Sequence, residues 1–302
     1  MPPEIPEKVR RLAALTDDGR AWLDRLPDQI AGIERAWDLR VGEPLRKGSE
    51  AYVAHARLAD GAEAVLKIVI AGRDPSRQEL RILQMAGGRG YARLLRGDAE
   101  ANVLLIERLG PQLAELGLAK RDELAAICTT LREAWPPSPG GPFATAPEMA
   151  QQMAETIEEL SARLGWPCAE RTVRQALDFA ERRRRAFDPA TAVLAHGDAH
   201  QWNTLLAPSG GFRLVDPDGV LAEPAFDLAI SMREWETGLP TGDLRAAGRE
   251  RLATLCELTG LEPQPIWEWG LLQLVWNGLL LSEIGAEAPA MVSFAMADAW
   301  VD

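Results

Sequence analysis

The chain has 302 residues, 47% of them apolar and 26% charged, which is enough to bury a sizeable core in two domains or lobes and too apolar for a disordered protein. Its net charge of −12 is unevenly placed: residues 196–302 carry 5 basic and 16 acidic side chains, against 18 and 17 in residues 1–108. An acidic field of that kind repels nucleic acid and anionic membrane surfaces and attracts cations.

From the amino end, "MPPEIPEKVRR" lacks the apolar stretch of a secretory signal. Residues 5–37 then repeat apolar side chains at helical spacing, through Val9 and Leu12, Trp22 and Leu26, to Ile30 and Ile33. The segments 51–58 and 63–70 alternate as strands around Asp60-Gly61, a dipeptide suited to the positive φ of a hairpin turn. A helix is predicted from the cap Asp74 and from Pro75 to Gly87-Gly88, followed by two further strands in "YARLLRG" and "NVLLIERL". Beyond residue 108 the pattern turns helical, interrupted by a breaker-rich loop at 136–147 and by the stretch Val193–Gly219. The apolar run 270–285 is too short to span a bilayer and reads as a buried helix. Cys128, Cys168 and Cys256 are far apart, odd in number and without metal spacing, so they are expected to be reduced packing residues of a cytoplasmic protein.

The stretch Val193–Gly219 holds the most concentrated chemistry. An apolar strand runs into His196-Gly197-Asp198, which places the Asp198 carboxylate at a strand's carboxyl end, in a cleft. Asn203 lies five residues on, "PSGG" reverses the chain, and "FRLVD" returns Asp216 to the same end of the ribbon as Asn203. Any one of these residues read alone is a loop cap. Together they offer hard oxygen ligands of the kind Mg²⁺ takes, with water and phosphate filling the remaining positions.

These residues resemble a known family. "HGDAHQWN" is similar to the HGDxHxxN motif of aminoglycoside phosphotransferases and related small-molecule kinases of protein-kinase-like fold, and "LVDPDG" to their metal-binding segment. "GRAWLDRLP" and "DPDG…EPAFDLA" are most similar to the streptomycin 6-kinase and hydroxyurea-resistance branch. The resemblance implies an α+β, bilobal fold. A small β-rich lobe of about five antiparallel strands and one helix (residues 1–108) would be followed by a larger helical lobe (109–302). It also implies ATP or GTP as phosphoryl donor and Mg²⁺ as metal. Asp198 would act on the proton of the substrate hydroxyl, with Asn203 and Asp216 on the metal. Lys67 would contact the phosphates, paired with Glu79. A lysine in "VLKIV" needs such a partner, and Glu79 is the only acidic residue between Pro75 and Gly97. Gly48 and Ser49 stand in the phosphate-loop segment, and Glu107 and Leu109 in the hinge that holds the base. His196 and His200 are expected to be hydrogen-bonded supports, and Asp227 to tie the catalytic loop in place.

The pattern departs from its relatives at the single-glycine phosphate loop, at Ala199 and Gln201-Trp202 inside the motif, and at Asp218. Acceptor recognition is expected in the acidic last third, with Asp218, Glu223, Glu234, Trp235 and Glu268 as candidates for a cationic small molecule. "ERRRRAF" (181–187) reads as a solvated helix face. The expected protein is a cytoplasmic small-molecule kinase, a monomer or weak dimer, with no nucleic-acid or membrane partner. A streptomycin-like aminoglycoside is its leading acceptor. The alternatives are another metabolite or a non-aminoglycoside antibiotic as acceptor, or a nucleotide-binding pseudokinase or sensor.

Overall fold

The computed structural model describes residues 3–45, 50–71, 75–135, 141–235 and 239–301. The chain forms two compact units, Met1–Gly110 and Pro111–Asp302.

In the first unit the amphipathic run at 5–37 divides into α1 (Glu7–Ala13) and α2 (Asp17–Trp37). The break falls at Thr16, whose hydroxyl accepts the Gly19 N–H at 3.1 Å and so caps α2. Next come β1 (Leu39–Pro44), β2 (Ala51–Leu58), β3 (Glu63–Val69), α3 (Pro75–Ala86), β4 (Leu94–Asp98) and β5 (Val103–Glu107). The strands form one antiparallel sheet in the order β1-β2-β3-β5-β4. The expected hairpin joins β2 to β3: Gly61 adopts φ +86°, and the Asp60 carboxylate accepts the Ala62 N–H at 2.9 Å.

The two faces of this sheet do different work. Ala54, Ala56, Ala64, Leu66, Ile68 and Leu105 share a core with Trp22, Leu26, Ile30 and Ile33 of α2. The small side chains let the helix approach, and each large apolar side chain buried there contributes roughly 1.5–3 kcal/mol. Lys67 lies on the other face, because neighbouring strand residues alternate sides, and it pairs across the sheet with Val53 and Leu104. The strand expected in "YARLLRG" begins only at Leu94; Tyr91 and Ala92 are buried ahead of it.

The second unit contains α4 (Lys120–Ala134), β6 (Ala144–Thr145), α5 (Ala146–Arg163), α6 (Glu170–Ala186), β7 (Val193–Ala195), β8 (Thr204–Leu206), β9 (Phe212–Leu214) and β10 (Val220–Ala222). It ends with α7 (Ala225–Arg233), α8 (Leu244–Thr259), α9 (Pro263–Glu283) and α10 (Glu287–Trp300). The segment 270–285 falls largely within α9, whose middle is buried on all sides. The stretch Val193–Gly219 is not one hairpin. β7 pairs with β10, which also pairs with β6 from the segment expected to be loop, while β8 and β9 form a separate two-stranded ribbon.

"ERRRRAF" is not wholly solvated. Arg183 is 8% exposed, since α6 packs against α9 and an arginine facing that helix must carry its charge inward to a partner. Burial pushes the Cys128 and Cys168 thiols up to about 12, and all three cysteines are free. Among the described residues, no helix is long and apolar enough to cross a membrane.

Candidate active site

In the first unit the Lys67 ammonium lies 2.6 Å from the Glu79 carboxylate. β3 supplies the lysine and α3 the glutamate, which is 3% exposed. A carboxylate so buried needs a charged partner, and the pair fixes the end of an otherwise mobile lysine. Glu107, at the end of β5, accepts the Arg93 N–H on its carboxylate at 2.8 Å and donates its own N–H to the Arg93 carbonyl at 2.9 Å. Its side chain is thus committed to the sheet. Leu109 follows, half-buried. Gly48 and Ser49 lie outside the described residues.

In the second unit β7 delivers the chain to His196-Gly197-Asp198, and three polar ties fix the turn there. The first is Asp227, on α7 and fully buried, which accepts the backbone N–H groups of His196 and Gly197 and the Trp135 indole N–H, each at 2.8 Å. The second is the His196 ring, also fully buried. Its Nε2 donates to the Val215 carbonyl at 2.9 Å, and its Nδ1 accepts the Asp198 N–H at 3.1 Å. That tautomer is neutral, in keeping with burial, which pushes the imidazole pKa down. The third is the His196 carbonyl, which accepts the N–H groups of Asp218 and Gly219 at 2.8 and 3.0 Å. The turn at 196–198 is thereby tied to the segment 215–219. Gly197 adopts φ +92°, and a Cβ built on it would lie 2.9 Å from the Asp218 Cβ.

The side chain this turn presents is Asp198. One carboxylate oxygen accepts from the Arg233 guanidinium at 2.6 Å, and the other lies 3.2 Å from His200 Nε2. Burial pushes the carboxyl up. The hydrogen bond and charge of His200, joined by Arg233, outweigh it and hold the group well below the usual carboxylate range. Burial likewise lowers the His200 imidazole, but the Asp198 contact wins and raises it. Asp198 is therefore an anion at neutral pH, gripped on both oxygens.

Asn203 donates its amide to the Asp198 carbonyl at 3.0 Å and lies 3.4 Å from the carboxylate. With the nitrogen so committed, Oδ1 is the end of the amide left as an oxygen ligand. β8 and β9 pair Thr204 with Leu214, and the Val215 N–H reaches the Asn203 carbonyl at 3.0 Å. This register puts Asn203 and Asp216 at the same end of the ribbon. Asp216 is exposed and sits at φ +57°, a left-handed conformation that aspartate tolerates better than most residues. One amide oxygen and one carboxylate, both hard donors, suit Mg²⁺ completed by phosphate and water. Among the described residues no group of three or more His, Cys, Asp or Glu is placed to hold a metal unaided.

Of the acceptor candidates, Glu223 and Glu268 are spoken for. Glu268 is 1% exposed and is ion-paired with Arg183 at 2.7 Å and Arg182 at 3.3 Å, with Gln264 donating to it at 3.0 Å. Glu223 accepts from Arg183 at 3.1 Å and from the Trp269 indole at 2.9 Å. These two carboxylates lock α6 to α9 and to the residues before α7, which corrects their expected role in acceptor binding. Trp269, fully buried against Phe226, and Trp267, stacked on Trp300, are packing residues too. Asp218 is exposed, while Glu234 and Trp235 are half-buried just beyond α7.

Sequence reasoning missed Arg233. In "SMREW" it reads as an ordinary basic residue at a helix end, where the dipole favours a cation. Only the fold shows that α7 carries Asp227 under the turn at 196–198 and Arg233 beside Asp198, 35 residues away in sequence.

Comparisons with known proteins agree with this architecture. A family model described as aminoglycoside/hydroxyurea antibiotic resistance kinase matches residues 35–285. Streptomycin 6-kinase of Streptomyces griseus is 30% identical over 295 residues, covering 94% of this chain and 92% of the relative. Hydroxyurea phosphotransferase of Kitasatospora aureofaciens is 28% identical, covering 95% and 82%. The crystal structure of choline kinase LicA from Streptococcus pneumoniae superposes with a TM-score of 0.60 over 91% of this chain and 97% of that one, at 15% identity. The fold is therefore protein-kinase-like. The chain belongs to the aminoglycoside/hydroxyurea antibiotic resistance kinase family and is a phosphotransferase.

Proposed function

We propose that the chain moves the γ-phosphoryl group of ATP or GTP to a hydroxyl of a small cationic acceptor, a streptomycin-like aminoglycoside, and so inactivates the antibiotic. The observation that carries this reading is Asp198, an anion held on both oxygens, with Asn203 against it and Asp216 at the same end of the β8–β9 ribbon as Asn203.

When bound, the nucleotide with its Mg²⁺ supplies the activated phosphoryl group. Asn203 Oδ1 and Asp216 would hold the metal, and the Lys67 ammonium, steadied by Glu79, would meet the phosphates. The main chain at Glu107 and Leu109 would take the base, and Gly48 and Ser49 the phosphate loop. Asp198 aligns the acceptor hydroxyl by accepting its hydrogen bond. A carboxylate with so low a pKa is too weak to ionise an alcohol beforehand, so Asp198 takes the proton late. It does so as the acceptor oxygen bonds to phosphorus and the bond to the leaving nucleoside diphosphate breaks. His196 and Asp227 keep Asp198 in place without touching substrate. Asp218, Glu234 and Trp235 remain the side chains offered to a cationic acceptor. The protein is proposed to work in the cytoplasm, as a monomer or weak dimer.

The test is nucleoside diphosphate release against streptomycin, other aminoglycosides and hydroxyurea, with mass spectrometry of each product. One added phosphoryl group on an aminoglycoside is expected, and Asp198→Asn and Asp216→Asn should each abolish it. Nucleotide binding by calorimetry without product from any acceptor would overturn the reading in favour of a sensor.

A further inference from the structure

Helix α7 meets the turn at 196–198 at both of its ends. Near its start Asp227 accepts the backbone N–H groups of His196 and Gly197, and at its last residue Arg233 donates to the Asp198 carboxylate at 2.6 Å. Nearly two turns of helix, about 9 Å, separate the two contacts.

The far end is the harder one to fix. A helix leaves its last carbonyls without helical partners, and α7 does not close on a glycine: Glu234 follows Arg233 at φ −81° and ψ 101° and leads the chain away extended. Side chains take those carbonyls instead. The Trp235 indole N–H donates to the Met232 carbonyl at 2.8 Å. Arg251, reaching across from α8, donates to the Ser231 carbonyl at 3.0 Å and to the Glu234 carbonyl. The same guanidinium lies over the Trp235 ring, 3.4 Å from its centroid. Arg251 thus grips the backbone on both sides of Arg233 and steadies the indole that holds the Met232 carbonyl.

The place suits a guanidinium and little else. Ser231 and Met232 are 4% and 0% exposed, so a carbonyl there that loses its donor has little water to replace it. The carboxyl end of a helix favours a cation, and a planar fork can stack on a ring while donating from its edge, which an ammonium cannot do. Burial pushes the Arg251 guanidinium down to about 10, against the pull of Glu234 and Glu123, and it remains a cation at neutral pH.

We propose that Arg251 is a positioning residue for phosphoryl transfer: by capping α7 from α8 it fixes the backbone on either side of Arg233, and so sets where the Arg233 guanidinium holds Asp198. This rests on the kinase reading above. It gives α8 a part in the reaction although its arginine does not touch the reacting groups.

The test is Arg251→Met, made in the wild type and again in an Arg233→Met background, with ATP and streptomycin as substrates and Tm as the measure of folding. In the wild type kcat should fall about tenfold, within the hundredfold cost of a 1 Å misplacement, while KM for both substrates stays within about twofold. In the Arg233→Met background the same change should alter kcat less than about twofold, because the group it acts through is gone. Arg251→Lys, which keeps the charge without the stack, should lose only about threefold and carries the test where the methionine variant does not fold. A readout independent of turnover is the side-chain N–H signal of Arg233 in ¹⁵N NMR, which should exchange with water severalfold faster once Arg251 is replaced. A tenfold fall in kcat in both backgrounds, or an unchanged kcat and Arg233 signal in a variant of lowered Tm, would make Arg251 a tie of the core alone and overturn the proposal. A faster-exchanging Arg233 in a protein that phosphorylates no acceptor would instead defeat the kinase reading and leave the link from Arg251 to Arg233 standing.

Discussion

Asp227 and Glu268 are both sealed carboxylates of the second unit, 0% and 1% exposed, yet they are satisfied in opposite ways. Asp227 is met by two backbone N–H groups and an indole, all neutral, and so dictates the path of the chain at 196–197. Glu268 is met by two guanidinium groups and an amide, all on side chains, and so joins one helix to another. Side-chain partners can be exchanged together for apolar packing, whereas backbone donors persist in every variant. Burial alone does not separate a carboxylate that shapes the candidate site from one that joins two helices; the identity of its partners does.

Three experiments would break or sharpen that contrast. Asp227→Ala leaves three buried donors unpaired, and it should cost about 3–5 kcal/mol of stability and essentially all turnover, read by denaturant unfolding and product formation. Asp198→Asn should lower kcat by about 10³-fold and, because it removes the charge that Arg233 and His200 hold, lower the unfolding midpoint only modestly. Glu268→Gln should do the reverse, lowering stability by about 1–3 kcal/mol with turnover untouched, because Arg183 keeps Glu223. If Glu268→Gln instead raised KM for an aminoglycoside, the assignment of that cluster to structure would fail.

The smallest effect concerns Cys128. Its thiol is raised from the ordinary value of 9.0 to about 12, so the stability its neutral form contributes is complete below pH 9 and lost as pH climbs toward 12. Cys128→Ala should flatten the alkaline fall in stability by up to about 1.4 kcal/mol per pH unit, measured by urea unfolding between pH 8 and pH 10.

Much of the candidate site's geometry was legible because it is local. Asp198, Asn203 and Asp216 lie within one short stretch, and the Lys67–Glu79 pair follows from a lysine that needs a partner and a single nearby acid. What stayed hidden depends on contacts between distant residues. Arg233 looks like any helix-terminal arginine until α7 is docked beneath the turn. Glu268 and Trp269 have the composition of a cation pocket, and only the packing of α6 on α9 turns them inward. The short β6 carries no periodicity to detect, since a two-residue strand exists only because β10 is there to pair with it. The separation of β7 from the β8–β9 ribbon was missed for the same reason, as strands of three residues take their identity from their neighbours.

The close approach at Gly197 sets a gauge. The turn bearing Asp198 and the segment bearing Asp216 lie as near as two backbones can when one carries no side chain, since a single methyl would sit 2.9 Å from the Asp218 Cβ. The distance between those two segments is thus fixed by an atom that is not there. Even alanine would act as a wedge, driving Asp198 away from the segment that carries Asp216 while every side chain of the candidate site remained in the sequence.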